Sequence, residues 1–308
     1  MTAFAERPAR STASLRHRLA ERGIDSSLWL MVPALVFALA LFVYPFSYGI
    51  GLTFQPSLAT QEQWGGGVLA NYVAFFRDPF VFDSIWITMR LALPAALFNV
   101  VASIPVAMVL RRKFRFKRLM TSVLVLPITL GTVLTAQGLL IFAGRQGWLN
   151  RFLLATGLVD QPVQLVNNYT GVMFSLIITG FPFAFLLVSS YLSGIDPSLD
   201  SAARTLGAGW WQRFRRITLP LLAPGLATTF ILTFVLAFSV FPSARLVGDA
   251  MGSTRVMSLM AFRAFGEQND YAMASTIALM MGVVELLVVA VVLAWRSLLY
   301  KGSTGGKG

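Results

Sequence analysis

The chain has 308 residues, of which 56% are hydrophobic and only 12% are charged, and its formal net charge is +12. Soluble domains carry about 25% charged residues, so this composition excludes an ordinary soluble protein and indicates a membrane protein. The sequence contains no cysteine and one histidine, His17. Disulfides, thiolate nucleophiles and metal sites rich in cysteine or histidine are therefore excluded.

The high positive charge has two interpretations, a nucleic-acid surface or a membrane topology signal. The lysines and arginines gather in short segments between apolar blocks, which is typical of membrane proteins that follow the positive-inside rule. We therefore expect the lipid bilayer to be a partner and expect no nucleic acid.

Six apolar blocks are long enough to cross about 30 Å of hydrocarbon as helices with a rise of 1.5 Å per residue. Backbone groups in lipid must be satisfied within the segment, so a helix is expected for each block. The predicted fold class is therefore all-α integral membrane, with six transmembrane helices. The predicted spans are 28–53, 84–110, 119–142, 171–192, 221–241 and 271–295.

The positions of the basic residues predict the orientation of the spans. Lysine and arginine are concentrated in residues 1–27, in the connections 111–118 and 194–220, and in the C-terminal tail, whereas the other connections hold few. Both termini are therefore expected in the cytoplasm. We predict a basic cytoplasmic tail at 1–27, a transmembrane domain at 28–300 and a flexible tail at 301–308.

The connection 194–220 is predicted to form two short helices separated by a glycine. Asp196 followed by Pro197 is a typical helix start, with an N-cap and a proline at the first helical position. Gly207 suits the left-handed residue that ends a helix, and Pro220 is expected to end the second helix.

Each of these two helices has an apolar stripe. The first stripe consists of Leu199, Ala202, Ala203 and Leu206, and the second of Trp210, Trp211, Phe214 and Ile217. Small and aromatic side chains of this kind, with the arginines at 213, 215 and 216 between them, suit a docking surface for a partner protein. An amphipathic helix lying on anionic lipid is the alternative.

This connection resembles the EAA loop of bacterial ABC importer permeases, whose pattern is Glu-Ala-Ala, three residues, Gly, nine residues and Ile-x-Leu-Pro. The chain has Ala202 and Ala203, then Gly207, then Ile-Thr-Leu-Pro at 217–220, with the same spacing. The resemblance implies a type I ABC importer permease fold, multi-pass in a bacterial inner (plasma) membrane. The transmembrane domain 28–300 is then a permease domain, and 194–220 is its coupling loop.

In that family the loop sits in a cleft of the ATPase subunit and transmits its closure to the spans. The resemblance implies that ATPase coupling involves Asp200, Ser201, Ala202, Ala203, Leu206, Gly207, Trp210, Phe214, Ile217, Leu219 and Pro220. One position departs from the family pattern, because Ser201 stands where the family has its glutamate. Asp200 supplies a charge one residue earlier, but it projects about 100° away around the helix.

The resemblance also implies the partners: a second permease subunit, two ATPase subunits and an extracytoplasmic solute-binding protein. We expect no catalysis and no cofactor on this chain, because it has no phosphate-binding Gly-x-x-x-x-Gly-Lys run; ATP and Mg belong to the partner ATPase. A rival class, an autonomous secondary transporter, would need internal repeats and several intramembrane charges. A membrane enzyme would need an acid, base or metal cluster.

The solute and its pathway are indicated more weakly. Segments 241–248, 258–265 and 270–275 resemble permeases of the polyamine, opine, phosphonate and ferric-iron group, with the sugar and glycerol-phosphate group as the alternative. A polyamine-like or other small polar solute is therefore expected. Glu285 lines a pathway for a cation, forms a structural pair with Arg90 or with the partner permease, or is a hydrogen-bonded neutral glutamate. The candidate pathway residues are Glu285, Arg90, Asn99, Phe181 and Phe238.

Overall fold

A computed structural model describes residues 27–111 and 115–299. The predicted basic tail before residue 27, the predicted tail 301–308 and part of the basic connection 111–118 lie outside the described residues. The chain forms two compact units, Met1–Gly51 and Leu52–Gly308. In the first unit the described residues are helical throughout, in spite of Pro33 and Pro45.

The described residues form helices and no strand. The helices are α1 Ser27–Thr53, α2 Leu58–Trp64, α3 Ala70–Arg77, α4 Pro79–Arg111, α5 Lys117–Ala143, α6 Trp148–Ala155, α7 Tyr169–Ser193, α8 Pro197–Thr205, α9 Trp210–Arg213, α10 Leu219–Phe238, α11 Pro242–Val247, α12 Met257–Gly266 and α13 Tyr271–Leu299. One π-helical turn, Phe214–Thr218, joins α9 to α10.

The six predicted spans are confirmed as helices long and apolar enough to cross a membrane. They correspond to α1, α4, α5, α7, α10 and α13, with ends that differ from the prediction by a few residues. The fifth span ends at Phe238 rather than at residue 241. The following helix begins at Pro242, and a proline moves the residue before it away from the helical region, as the φ of −123° at Phe241 shows.

The expectation that Pro220 ends the second helix of the connection is wrong. Pro220 lies in the first turn of α10, and the chain is helical from Trp210 to Phe238. The π-helical turn explains how the proline is tolerated, because the Leu219 N–H bonds the carbonyl of Phe214, five residues earlier. The backbone hydrogen bonds therefore change from the α to the π pattern immediately before Pro220, which has no N–H to donate.

The core of the second unit lies between α4, α7, α10, α12 and α13. Leu91, Phe234 and Met257 are fully buried there. Ala92, Ala95 and Ala96 on α4 are also fully buried, and small residues of this kind let membrane helices approach closely. The span α5 is much less covered, and it is broken at Gly131, where φ is 70° and ψ is 172°.

Two short helices that the sequence analysis did not predict, α11 and α12, connect α10 to α13. Their polar groups bond the spans directly: Ser175 of α7 bonds Ser243 at 2.8 Å, and the Met257 N–H donates to Thr88 of α4 at 2.9 Å. These bonds satisfy irregular backbone and hydroxyl groups inside the bundle, as a membrane protein requires.

Candidate functional site

The coupling loop begins with a well-formed N-cap. The side chain of Asp196 accepts a hydrogen bond from the Ser198 N–H at 2.8 Å, and Pro197 occupies the first helical position of α8. This N–H stabilises the charged carboxylate and lowers the pKa of Asp196 from its usual value of 3.8. The predicted start of the first helix is confirmed.

The same helix ends in a Schellman motif. Gly207 has a φ of 80°, its N–H donates to the Arg204 carbonyl at 3.0 Å, and the Ala208 N–H donates to the Ala203 carbonyl at 3.0 Å. This pair of bonds fixes the turn and needs a left-handed residue at the glycine position. The predicted glycine break is therefore confirmed, and it sets the direction in which the chain enters α9.

The hairpin formed by α8 and α9, residues 196–213, exposes its apolar side chains. No residue in α8 or α9 is buried. Leu206 is 87% exposed, and the two tryptophans Trp210 and Trp211 are 54% and 61% exposed. Exposed apolar groups this large, gathered on one hairpin, are typical of an interaction surface.

The two tryptophans of the hairpin pack on Phe214, the residue that follows the hairpin. Trp210 stacks on Phe214 with centroids 5.8 Å apart and an interplanar angle of 5°, and Trp211 lies 5.6 Å from the same ring. Aromatic pairs in such arrangements contribute about 0.5–1.5 kcal/mol beyond their buried area. The three aromatic side chains of the second apolar stripe therefore pack against one another within this chain.

An ion pair that the sequence analysis missed links the two helices of the hairpin. Arg213 Nη1 lies 2.8 Å from Asp200 Oδ2, and the Arg213 side chain is only 13% exposed. Ser201, at the position of the family's glutamate, bonds back to the Pro197 carbonyl at 3.3 Å. The acid at 200 thus contacts a group within the loop, and no sequence signal connects two residues so far apart across a turn.

The hairpin is attached to the spans at two points. Arg111, the last residue of α4, donates from Nη2 to the carbonyl of Ile195 at 2.6 Å. On the other side, the helical backbone continues from Trp210 through the π-helical turn into α10. Ile217 and Leu219 are half-buried along this connection. The hairpin is therefore linked to α4 by a hydrogen bond and to α10 by continuous helical backbone.

Glu285 lies in the middle of α13, 14 residues from Tyr271 and 14 from Leu299, or about 21 Å from either end. Its Oε1 accepts a hydrogen bond from the Ser239 hydroxyl at 2.7 Å. Ser239 is the C-cap of α10, so this helix ends at the depth of the middle of α13. Ser239 is exposed and Glu285 half-buried, so the pair is accessible from outside this chain.

The other pathway candidates do not join this pair. Arg90 is exposed, and within the described residues it forms no ion pair with Glu285; its carbonyl accepts from Tyr169 Oη at 2.7 Å. Phe238 is fully buried, with its ring centroid 5.4 Å from that of Phe234. The structure therefore places Phe238 in the core of the subunit and not on its surface.

Asn99 and Phe181 lie in the packing between α4 and α7. The buried Asn99 side chain donates to the Leu176 carbonyl at 3.2 Å, while its Oδ1 has no partner among the described residues. Its amide nitrogen lies where a side chain at Gly180 would project. Phe181 is half-buried and stacks on Phe185 with centroids 6.5 Å apart.

Comparison with known proteins gives the family. Residues 99–303 match the binding-protein-dependent transport system inner membrane component. A probable sulfate transport system permease protein of Prototheca wickerhamii is 32% identical over 214 residues, which cover 69% of this chain and 82% of that protein. The spermidine/putrescine permease PotB of Salmonella typhimurium is 32% identical over 183 residues, 59% of this chain and 63% of PotB, so less than two thirds of PotB is matched.

Solved structures show the same fold. A chain of a bacterial ABC transporter involved in the import of the acidic polysaccharide alginate matches with a TM-score of 0.75 and 20% identity, covering 92% of this chain and all of that chain. An inward-facing MetNI methionine ABC transporter matches with a TM-score of 0.57 and 14% identity, covering 72% of this chain and 97% of the other. Relatives and structures alike are transporters rather than enzymes. This chain therefore belongs to the family of binding-protein-dependent transport system inner membrane components, as a permease subunit of an ABC importer.

Proposed function

We propose that this permease couples ATP use by a partner ATPase to solute import through the hairpin 196–213. The observation that carries the proposal is that the hairpin is ordered internally and exposed externally. The Schellman turn and the ion pair between Asp200 and Arg213 fix its shape, while Leu206 and the tryptophans remain uncovered. A preordered surface loses little conformational entropy when it binds a partner.

The coupling follows from the attachment of the hairpin. ATP and Mg bind the partner ATPase, whose closure displaces the hairpin; the bond from Arg111 to Ile195 and the continuous helix 210–238 pass the displacement to α4 and α10. The spans then alternate between inward-facing and outward-facing arrangements. The assembly comprises a second permease, two ATPase subunits and an extracytoplasmic solute-binding protein in a bacterial inner membrane. The related alginate transporter has been solved in complex with a periplasmic protein bound to an alginate pentasaccharide, which supports such a partner.

A matched pair of variants tests the coupling. Leu206 in the hairpin and Leu58 in α2, which precedes the opposite end of α4, are 87% and 78% exposed. We expect Leu206→Asp to reduce co-purification of the ATPase at least tenfold, because a charge replaces an apolar contact at the interface. Leu58→Asp should leave co-purification unchanged. Equal retention of the ATPase by both variants would show that the hairpin is not its docking site.

We also propose that the solute is a small cation of the polyamine class. The support is the pair formed by Glu285 and Ser239, a carboxyl group at mid-depth with a hydroxyl donor beside it. A carboxyl group facing lipid at this depth is costly, so it faces a pathway or a neighbouring subunit. The C-terminal end of α10 adds the negative end of a helix dipole at the same place.

The second candidate is an anion, favoured by the similarity to the probable sulfate permease. Uptake of labelled putrescine by the assembled importer, with unlabelled spermidine, sulfate and maltose as competitors, distinguishes the two. We expect competition by spermidine alone. We further expect Glu285→Gln to lower putrescine uptake at least fivefold without loss of ATPase association. Competition by sulfate, or unchanged uptake by the Glu285→Gln importer, would contradict a cationic pathway.

A further inference from the structure

A basic groove lies at the start of α5 and is distinct from the hairpin surface. It is open, has a volume of about 680 Å³, and is lined by Arg115, Lys117, Arg118, Thr121, Ser122 and Val125. Thr121 and Val125 follow Lys117 at intervals of four residues. Positions at this spacing share one face of a helix, so the groove runs from the start of α5 along its first two turns.

Among the residues that the structure describes, no acidic side chain pairs with the cations of the groove. In the described part of the chain the ion pairs involve Arg213, Arg245, Arg255 and Arg263, and none of the three cations of the groove. The N-cap of α5, Phe116, offers no side-chain acceptor to the first-turn N–H groups. Those N–H groups carry the positive end of the helix dipole, which favours an anion at the same place.

Below the basic groove the surface of α5 is apolar and uncovered. On the face shared by Thr121 and Val125, the next exposed residue is Ile128, three positions beyond Val125 and 43% exposed. Val125 lines the inner end of the groove itself, one turn beyond Thr121. A ligand that fits the whole surface therefore needs an anionic head group attached to a long apolar chain.

The groove and the coupling hairpin lie at the same end of the bundle. Arg111, which contacts Ile195 at the start of the hairpin, ends α4, and Lys117 begins α5 after a short connection. With the hairpin facing a cytoplasmic ATPase, the groove lies at the level of the lipid head groups of the inner leaflet. Basic pockets at this level bind anionic lipid head groups.

We propose that the groove binds an anionic phospholipid, and this goes beyond the proposed function. The phosphate contacts Arg115, Lys117 and Arg118, and an acyl chain lies along Val125 and the apolar surface below it. Ser122 supplies a hydroxyl donor. Thr121 does not, because its hydroxyl already donates to the Lys117 carbonyl at 3.0 Å. The proposal requires neither a particular solute nor the Asp200–Arg213 pair.

The experiment compares retained lipid in the purified, assembled importer. Wild-type complex and the double variant Lys117→Gln/Arg118→Gln are reconstituted in nanodiscs of dioleoyl phosphatidylcholine and dioleoyl phosphatidylglycerol, and the lipids that remain bound after detergent exchange are measured by native mass spectrometry. The matched control is Arg145→Gln/Arg151→Gln, which removes two exposed charges from the opposite connection. Two surface cations together account for about a 30-fold change in affinity for an anionic lipid.

We expect wild type and control to retain phosphatidylglycerol selectively and the groove variant to lose that selectivity about 30-fold. Inorganic phosphate should not displace the lipid, because it lacks the acyl chain. Three results would overturn the proposal: equal retention in all three proteins, displacement by inorganic phosphate alone, or loss of the ATPase by the groove variant in phosphatidylcholine alone. The last result would assign the groove to protein docking.

Discussion

Replacement of Gly207 by alanine should weaken ATPase binding although it creates no steric overlap. Gly207 adopts a φ of 80°, whereas Gly209, two residues later, has a φ of −65°, and an added Cβ would meet nothing within 4 Å at either position. The two alanine variants therefore differ in backbone strain and not in steric overlap. A side chain in the left-handed region costs about 1–2 kcal/mol.

This strain energy destabilises the conformation of the hairpin that contains the left-handed turn. Since the strain is relieved when residues 206–208 leave the Schellman turn, Gly207→Ala shifts the equilibrium away from the docking conformation by a factor of about 5–30. The apparent Kd of the ATPase rises by up to that factor, because only the ordered hairpin binds. Gly209→Ala, at a φ that alanine readily adopts, should change the Kd less than threefold.

The assay is titration of the solubilised permease with labelled ATPase, with size-exclusion chromatography as a check that both variants remain folded. Similar Kd values for Gly207→Ala and Gly209→Ala would refute the argument that the left-handed turn presets the docking surface. Weaker binding by both variants to the same extent would point to the flexibility of the glycine segment as a whole.

Three further predictions concern the contacts around the hairpin and the packing of the spans. Asp200→Asn should reduce ATP-driven uptake only a few-fold, because the carboxylate is half exposed and such ion pairs contribute about 1 kcal/mol. The charge exchange Asp200→Arg/Arg213→Asp should restore part of the lost uptake. Asp196→Ala should destabilise α8 and speed amide exchange of residues 198–200 several-fold, whereas Asp196→Asn should not. Because the pKa of Asp196 is lowered on folding, this stabilisation is complete at neutral pH and is lost only as the pH falls below 3.8. Gly225→Ala should lower the Tm of the subunit, because the added Cβ would overlap the Tyr191 ring, and the second change Tyr191→Ala should relieve the overlap.

The parts of the fold that sequence could predict are those governed by local chemistry. The spans follow from apolar blocks of membrane length, and the ends of α8 follow from an aspartate with proline and from a glycine. Each of these signals is carried by one continuous stretch of sequence, so it can be recognised without knowing which other elements pack against that stretch.

Other features depend on tertiary contacts and left no such signal. The pair between Asp200 and Arg213 forms only after the chain reverses at Gly207. Phe238 is buried, although in a membrane helix a residue facing protein and one facing lipid are equally apolar, so periodicity does not separate them. Helices α11 and α12 have 6 and 10 residues, well below the length that identifies a span.

The docking of the hairpin can be measured most directly by cross-linking from a single introduced thiol. The chain has no cysteine of its own, so Leu206→Cys and Leu58→Cys each carry one site for a photoreactive maleimide. In the assembled importer, illumination of the Leu206→Cys protein should yield a covalent adduct with the ATPase that changes in amount when ATP is bound. The Leu58→Cys protein should yield none. An ATPase adduct from position 58, or its absence from position 206, would contradict the assignment of the hairpin as the coupling element.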